Sequence, residues 1–261
     1  MRIKRILLTI FLFEPLFCLA QNEKEFVIKS IESNINIDGI GNEKEWDLVE
    51  WQSEFWLWRP NDSLKAEKQS RFKILKNEKN LYILVESLTD GKNFSTPSLK
   101  RDFNTYGADF ITLLFDTFSD GTNAFSFSTN PLGLKNEGLI SGGNQNYRTD
   151  RSYTWDTKWH VESKIFEDLY SVEIQIPFAS LFYNNYSKSW RFNIYRVNTQ
   201  NNEYSVWAKT PQNQLIGNLG FMGKMIFEKS LKKARNPISL IPYISGIAQK
   251  DFLNLSSNLN T

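Results

Sequence analysis

The chain has 261 residues, a formal net charge of +2, one cysteine and one histidine. One cysteine excludes an internal disulfide and a CxxC zinc site, and one histidine excludes a polyhistidine metal centre or a mechanism needing two imidazoles. No basic block or stripe is present, so nucleic acid is not an expected partner.

The first twenty residues read as a cleaved signal peptide. Arg2, Lys4 and Arg5 form a basic start, Ile6 to Phe13 an apolar run, and Cys18-Leu19-Ala20 a cleavage site. The apolar run is too short to span a membrane. Without this leader the basic and acidic residues balance. The mature chain is therefore expected to be exported, to the periplasm, outer membrane or cell surface, and to lack thiols.

After a polar lead-in, Ile35 and Ile37 alternate with polar residues, and Asp38-Gly39 turns the chain. Asn42-Glu-Lys-Glu45 has the form of a helix start, with Asn42 capping and Glu45 reaching back. Trp56 and Trp58 alternate with Phe55 and Leu57, which puts both tryptophans on one face. Residues 68–76 and 80–87 are expected strands around the turn Asn77-Glu-Lys-Asn80. Asp109 to Asp116 and Ala124 to Asn130 form a strand pair around Ser119-Asp120-Gly121, a strong turn signal.

Lys135 to Arg151 is polar and Gly-rich and reads as a long loop. Further strands are expected over 158–166, 170–176, 189–197, 204–209 and 220–228, with a short helix or turn from Pro177. Nine or ten short strands and no long amphipathic helix predict an all-β, antiparallel β-sandwich, jelly-roll or immunoglobulin-like, with short helices. The expected division is signal peptide 1–20, sandwich 21–229, and a linker or barrel start over 230–261.

The run Ile35-Asn-Ile-Asp38-Gly39, then Glu45-Trp46, Leu81-Tyr82-Ile83, Asp109 to Asp116, Val172-Glu173-Ile174-Gln-Ile176-Pro177-Phe178 and Gly217-Asn218-Leu219-Gly220 resembles carbohydrate-binding module family 9. The likeness spans residues 30 to 228. It implies a sugar-binding β-sandwich without catalytic groups, active in polysaccharide recognition and carbohydrate catabolism and often joined to glycoside hydrolases. Lys100-Arg101-Asp102, Asp116-Thr117-Phe118, Asn130-Pro131-Leu-Gly133, Trp155-Asp156 and Ile241-Pro242-Tyr243 resemble a subgroup in which such a domain precedes an outer-membrane β-barrel. A barrel needs about eight strands or more, and the tail here has room for about one. The resemblance thus leaves an alternative role, a structural or interaction domain beside an outer-membrane barrel.

In family 9 a sugar ring is clamped between two tryptophans. The resemblance places the first position on Tyr106, which can still stack, and the second near Thr210, which cannot. A glutamate that grips hydroxyls falls on Thr112, and an arginine on Ser126. Asp109, Asn130 and Trp155 complete the expected carbohydrate site beside Tyr106 and Ser126. Trp58 can substitute as a stacking face, and its other reading, like that of Trp155, is packing in the core.

Some family members hold structural calcium. Asp116 and Asp120 are the carboxylates placed for it, though Asp120 before Gly121 is also a plain turn residue. The expected partner is a polysaccharide or oligosaccharide. Hydrolysis of O-glycosyl bonds would need two carboxylates across a cleft, and no local signature selects such a pair.

Overall fold

The computed structural model describes residues 24–232. The readings made for the leader and for the run from Asn236 lie outside the described residues. Among the described residues there are thirteen strands: β1 Glu25–Ser30, β2 Trp56–Arg59, β3 Ser70–Lys76, β4 Asn80–Leu88, β5 Phe110–Asp116, β6 Ala124–Thr129, β7 Lys135–Ile140, β8 Arg151–Ser152, β9 His160–Ile165, β10 Leu169–Pro177, β11 Ser187–Asn198, β12 Glu203–Val206 and β13 Gly223–Leu231. The helical segments are single 3-10 turns, including Lys44–Leu48 and Phe178–Ser180.

The strands run in the order β8-β7-β6-β5-β11-β13-β1-β3-β4-β10-β9, and β12 joins β11 to β2. This sheet curls so that its two halves share one core. Ile111, Leu113 and Phe115 of β5 and Phe192 of β11 enter it from one half. Phe72 of β3, Ile83 of β4 and Ile174 of β10 enter from the other. Phe72 meets Phe192 across the middle at 5.3 Å between ring centroids, and Phe127 meets Trp159 at 5.3 Å. Alternation sets these faces, because successive strand side chains point to opposite sides. A β-sandwich suits this packing.

The sheet is mixed, which corrects the antiparallel expectation. β1 pairs parallel with β13 over Glu25–Ile28 and then parallel with β3 over Lys29–Ser30. It is thus the strip that carries one half into the other. Phe26 and Ile28 are buried while Val27 is exposed, an alternation too short to stand out in a segment read as a polar lead-in.

Two other readings change. The segment after Lys135 opens with β7, which lies between β6 and β8. Its polar side chains are met individually: Asn136 Nδ2 donates to Phe103 O at 2.9 Å, and Glu137 Oε2 accepts from Trp159 Nε1 at 3.0 Å. A strand that satisfies its polar groups this way needs no apolar alternation. Near residue 44 the turn starts after Glu43 with no side-chain cap. Glu45 accepts from Ser33 Oγ at 2.6 Å rather than reaching back.

The outer faces of the sheet carry two smaller cores. Leu75, Tyr82 and Leu84 pack under Ile31, Ile35 and Trp46 on one side. On the other, Phe110, Leu114, Tyr195, Val197 and Val206 pack with Trp58, Phe103 and Leu219. That second outer face forms the floor of the candidate site.

Candidate functional site

A cleft of about 580 Å³ opens on this face. Its floor comes from strands: Trp58 and Arg59 of β2, Phe110 of β5, Tyr195 and Val197 of β11 and Tyr204 of β12. Its walls come from three loops, contributing Asn104 to Gly107, then Tyr147 with Arg151 at the start of β8, then Leu215 and Ile216. A concave, aromatic-rich site of this size suits a small ligand.

Tyr106 is 88% exposed. An aromatic ring so open to water has no packing duty, and it stands over a cleft with other rings in the floor. Its loop is fixed at the base. The backbone N–H of Tyr106 donates to Asn104 Oδ1 at 2.9 Å. Asp109, almost fully buried, accepts from Ser95 N at 2.6 Å, from Thr199 N at 2.8 Å and from the Thr199 hydroxyl. Asp109 therefore does not line the cleft but ties two loops together beside it.

Trp58 is held by its indole N–H, which donates to Gln214 O at 3.0 Å and Pro211 O at 3.3 Å. This bond anchors the 211–216 loop to β2. Arg59 lies over the Trp58 ring at 4.8 Å, and Tyr204 packs against that ring at 5.9 Å. Arg151 is partly buried. Its Nε donates to Asn144 Oδ1 at 2.9 Å and its Nη1 to the Tyr195 hydroxyl at 3.2 Å, and its guanidinium lies 5.1 Å from the Tyr147 ring. Asn144 in turn donates to Gly217 O at 2.7 Å. One chain of hydrogen bonds thus joins two walls to the floor.

The expected site residues divide. Tyr106 and Trp58 line the cleft. Ser126 is buried under β7 and donates to Gly138 O at 3.2 Å. Asn130 is fully buried, and its Oδ1 accepts from the N–H of Leu132 and of Leu134, both at 3.0 Å, fastening the turn before β7. Trp155 packs on the main core against Phe125 and Phe127, at 5.1 and 5.9 Å. Thr112 shares a hydrogen bond with Ser128 Oγ at 2.7 Å, and Thr210 is fully buried. Sequence reasoning missed Arg59, Tyr147, Arg151, Tyr195 and Tyr204. Tyr195 and Tyr204 carried a signal, as polar-tipped aromatics within strands. Arg151 carried none, since only the fold brings its loop to β11.

The carboxylates named for calcium are engaged with backbone. Asp116 accepts from Gly121 N at 2.8 Å and Asp120 N at 3.2 Å, with Arg191 at 3.9 Å. Asp120 accepts from Thr122 N at 2.7 Å and Asn123 N at 2.9 Å. These are turn contacts.

A tighter acidic group is Asp38, Glu43 and Glu173, whose oxygens lie within 4.8 Å of one another. Both Glu173 oxygens already accept hydrogen bonds, from Asp38 N and Gly39 N at 2.9 Å and from Trp46 Nε1 at 3.1 Å. Gly39 makes this possible, because a Cβ there would sit 2.7 Å from the Ser163 carbonyl carbon at a φ of +81°. Burial, together with the charge of Glu43, pushes the Glu173 carboxyl up to about 7. The group suits a held proton better than calcium, which takes six or more oxygens.

No family model matches the sequence, and no curated relative does. Solved structures do resemble the fold. A candidate carbohydrate-binding protein of Bacteroides uniformis superposes with a TM-score of 0.64 at 12% identity, over 79% of this chain and 100% of its own. A carbohydrate-binding module of family 9 from Caldicellulosiruptor kristjanssonii, in complex with glucose, gives 0.55 at 16%, over 82% and 100%. The same description with cellotriose gives 0.52 at 15%, over 84% and 100%. The fold is that of family 9 modules. At these identities the likeness is one of fold alone.

Proposed function

We propose that this chain is an exported, non-catalytic carbohydrate-binding module that recognises a polysaccharide or oligosaccharide in carbohydrate catabolism. The observation that carries this reading is Tyr106, which stands exposed above an aromatic cleft. A pyranose has an apolar C–H face that stacks on such a ring, and hydroxyls that need polar partners. Asn104, Thr105, Tyr195 and Tyr204 supply those around the cleft. The fold's likeness to modules solved with glucose and cellotriose supports the reading. Two other clefts of about 540 Å³, one near Ala66 and Arg71 and one near Asp90 and Asp168, have no aromatic residue in their linings. A hydrolase would need two facing carboxylates, and the residues lining the aromatic cleft include none.

A second reading rests on Thr210. It is buried, and the likeness to family 9 puts the second stacking face near it, which favours a structural or interaction domain beside an outer-membrane barrel. A saccharide screen on the full chain, with and without calcium, separates the two. Saturable binding that falls about tenfold or more in Tyr106→Ala is expected. A folded protein that binds no saccharide would leave the structural role.

A further inference from the structure

The aromatic cleft holds positive charge that no carboxylate among the described residues pairs with. Arg59 and Arg151 line it, and no Asp or Glu is among its lining residues. Among the described residues neither arginine forms an ion pair, whereas Arg71, Arg101 and Arg191 each have a carboxylate within 4.0 Å. Arg148 and Arg196 also have no ion pair, but Arg148 is exposed and not among the residues lining the cleft, and Arg196 is sealed in the interior over the Tyr170 ring.

The partners of Arg151 are neutral dipoles: the Asn144 amide oxygen and the Tyr195 hydroxyl. The Tyr153 hydroxyl faces it too, and burial pushes that phenol up to about 12, so it supplies no negative charge. A cation taken partly out of water without a counter-charge gains most from an incoming anion. The guanidinium also matches the planar oxygens of a carboxylate and the tetrahedral oxygens of a sulfate. Arg59, exposed and stacked on Trp58, adds a second positive charge on the aromatic side of the same cleft.

We propose that the cleft selects acidic saccharides, with the sugar ring on Tyr106 and the Trp58–Tyr204 floor and its carboxylate or sulfate ester drawn to Arg151 and Arg59. This rests on the saccharide-binding reading above and names the class of sugar.

The test is calorimetric titration of the full chain with oligogalacturonate, oligoglucuronate and alginate oligomers, with their methyl esters, with a sulfated galactan oligomer, and with cellotriose. Methyl esterification removes the charge and leaves the ring. The expected result is an acid form bound about tenfold or more tighter than its ester, consistent with a hydrogen bond to a charged group. That preference weakens as salt rises and shrinks in Arg59→Gln. Sulfated oligomers bound in place of uronates, with the same dependence on salt and Arg59, would support the proposal with sulfate as the source of charge.

Arg151→Gln also removes bonds that hold the walls, so the exposed Arg59 carries the decision. Neutral sugars bound as well as acids, or an acid preference untouched by Arg59→Gln, would overturn the proposal and leave saccharide binding standing. No saccharide bound by a folded chain would overturn the saccharide reading itself, and this proposal with it.

Discussion

Asp109 decides whether Tyr106 has a platform. Its carboxylate takes two backbone N–H groups and a hydroxyl from Ser95 and Thr199. Asp109→Ala strands those donors in a buried place, at about 1–3 kcal/mol for each unsatisfied group. Chemical denaturation is expected to show a loss of about 3 kcal/mol or more, with ligand binding weakened because the Tyr106 loop loses its anchor.

Glu173 makes a different forecast. In the unfolded chain it titrates near 4.5, and in the folded protein near 7. Between those values the folded state keeps a proton that the unfolded state has released. Its contribution to stability is therefore full below about pH 4.5 and lost as pH rises through about 7, on the order of 3 kcal/mol. Thermal unfolding followed from pH 4.5 to 8 is expected to show this fall in the wild type and a flatter profile in Glu173→Gln. Equal slopes for the two proteins would place the titration elsewhere.

At the scale of elements, β1 is the joint of the fold. It pairs with β13 along its first four residues and with β3 along its last two. Ile28 points into the shared core while Val27 points out. Ile28→Ala is expected to cost about 2–5 kcal/mol, and Val27→Ala within about 0.5 kcal/mol. Paired denaturant melts check the contrast, and similar losses would mean that β1 is not the joint. The elements that alternated cleanly were legible in the sequence: β3, β4, β5, β6 and β10 stand within about two residues of expectation. β1 and β7 were not. One buries only Phe26 and Ile28, and the other carries Lys, Asn, Glu and Gly, whose burial is made tolerable by partners distant in sequence.

At the scale of the whole molecule, the cleft exists because the curled sheet has two faces. One face of β5 and β11 fills the shared core, and the other lies open enough to carry a floor of rings. Three loops far apart in the chain then meet above that floor, tied by Arg151, Asn144 and the Trp58 indole. Trp58→Phe keeps a ring but removes the bond to the 211–216 loop. Hydrogen exchange in that loop is expected to rise, with ligand affinity falling. Unchanged protection would show that the loop is held by other contacts.

Through its likeness to family 9 the sequence pointed to Tyr106, and by itself it determined the all-β class, most strands and the tight turns. These follow from period-two alternation and turn chemistry, which act between near neighbours. Only the tertiary structure decided that Asp109, Ser126 and Asn130 serve as internal ties, that Trp155 belongs to the core, and that Arg59 and Arg151 share an acid-free cleft. Those roles depend on which strand lies beside which and which loop closes over it. Groups more than a hundred residues apart set that arrangement, as the Trp58 indole and the Gln214 carbonyl do, and no local pattern records it.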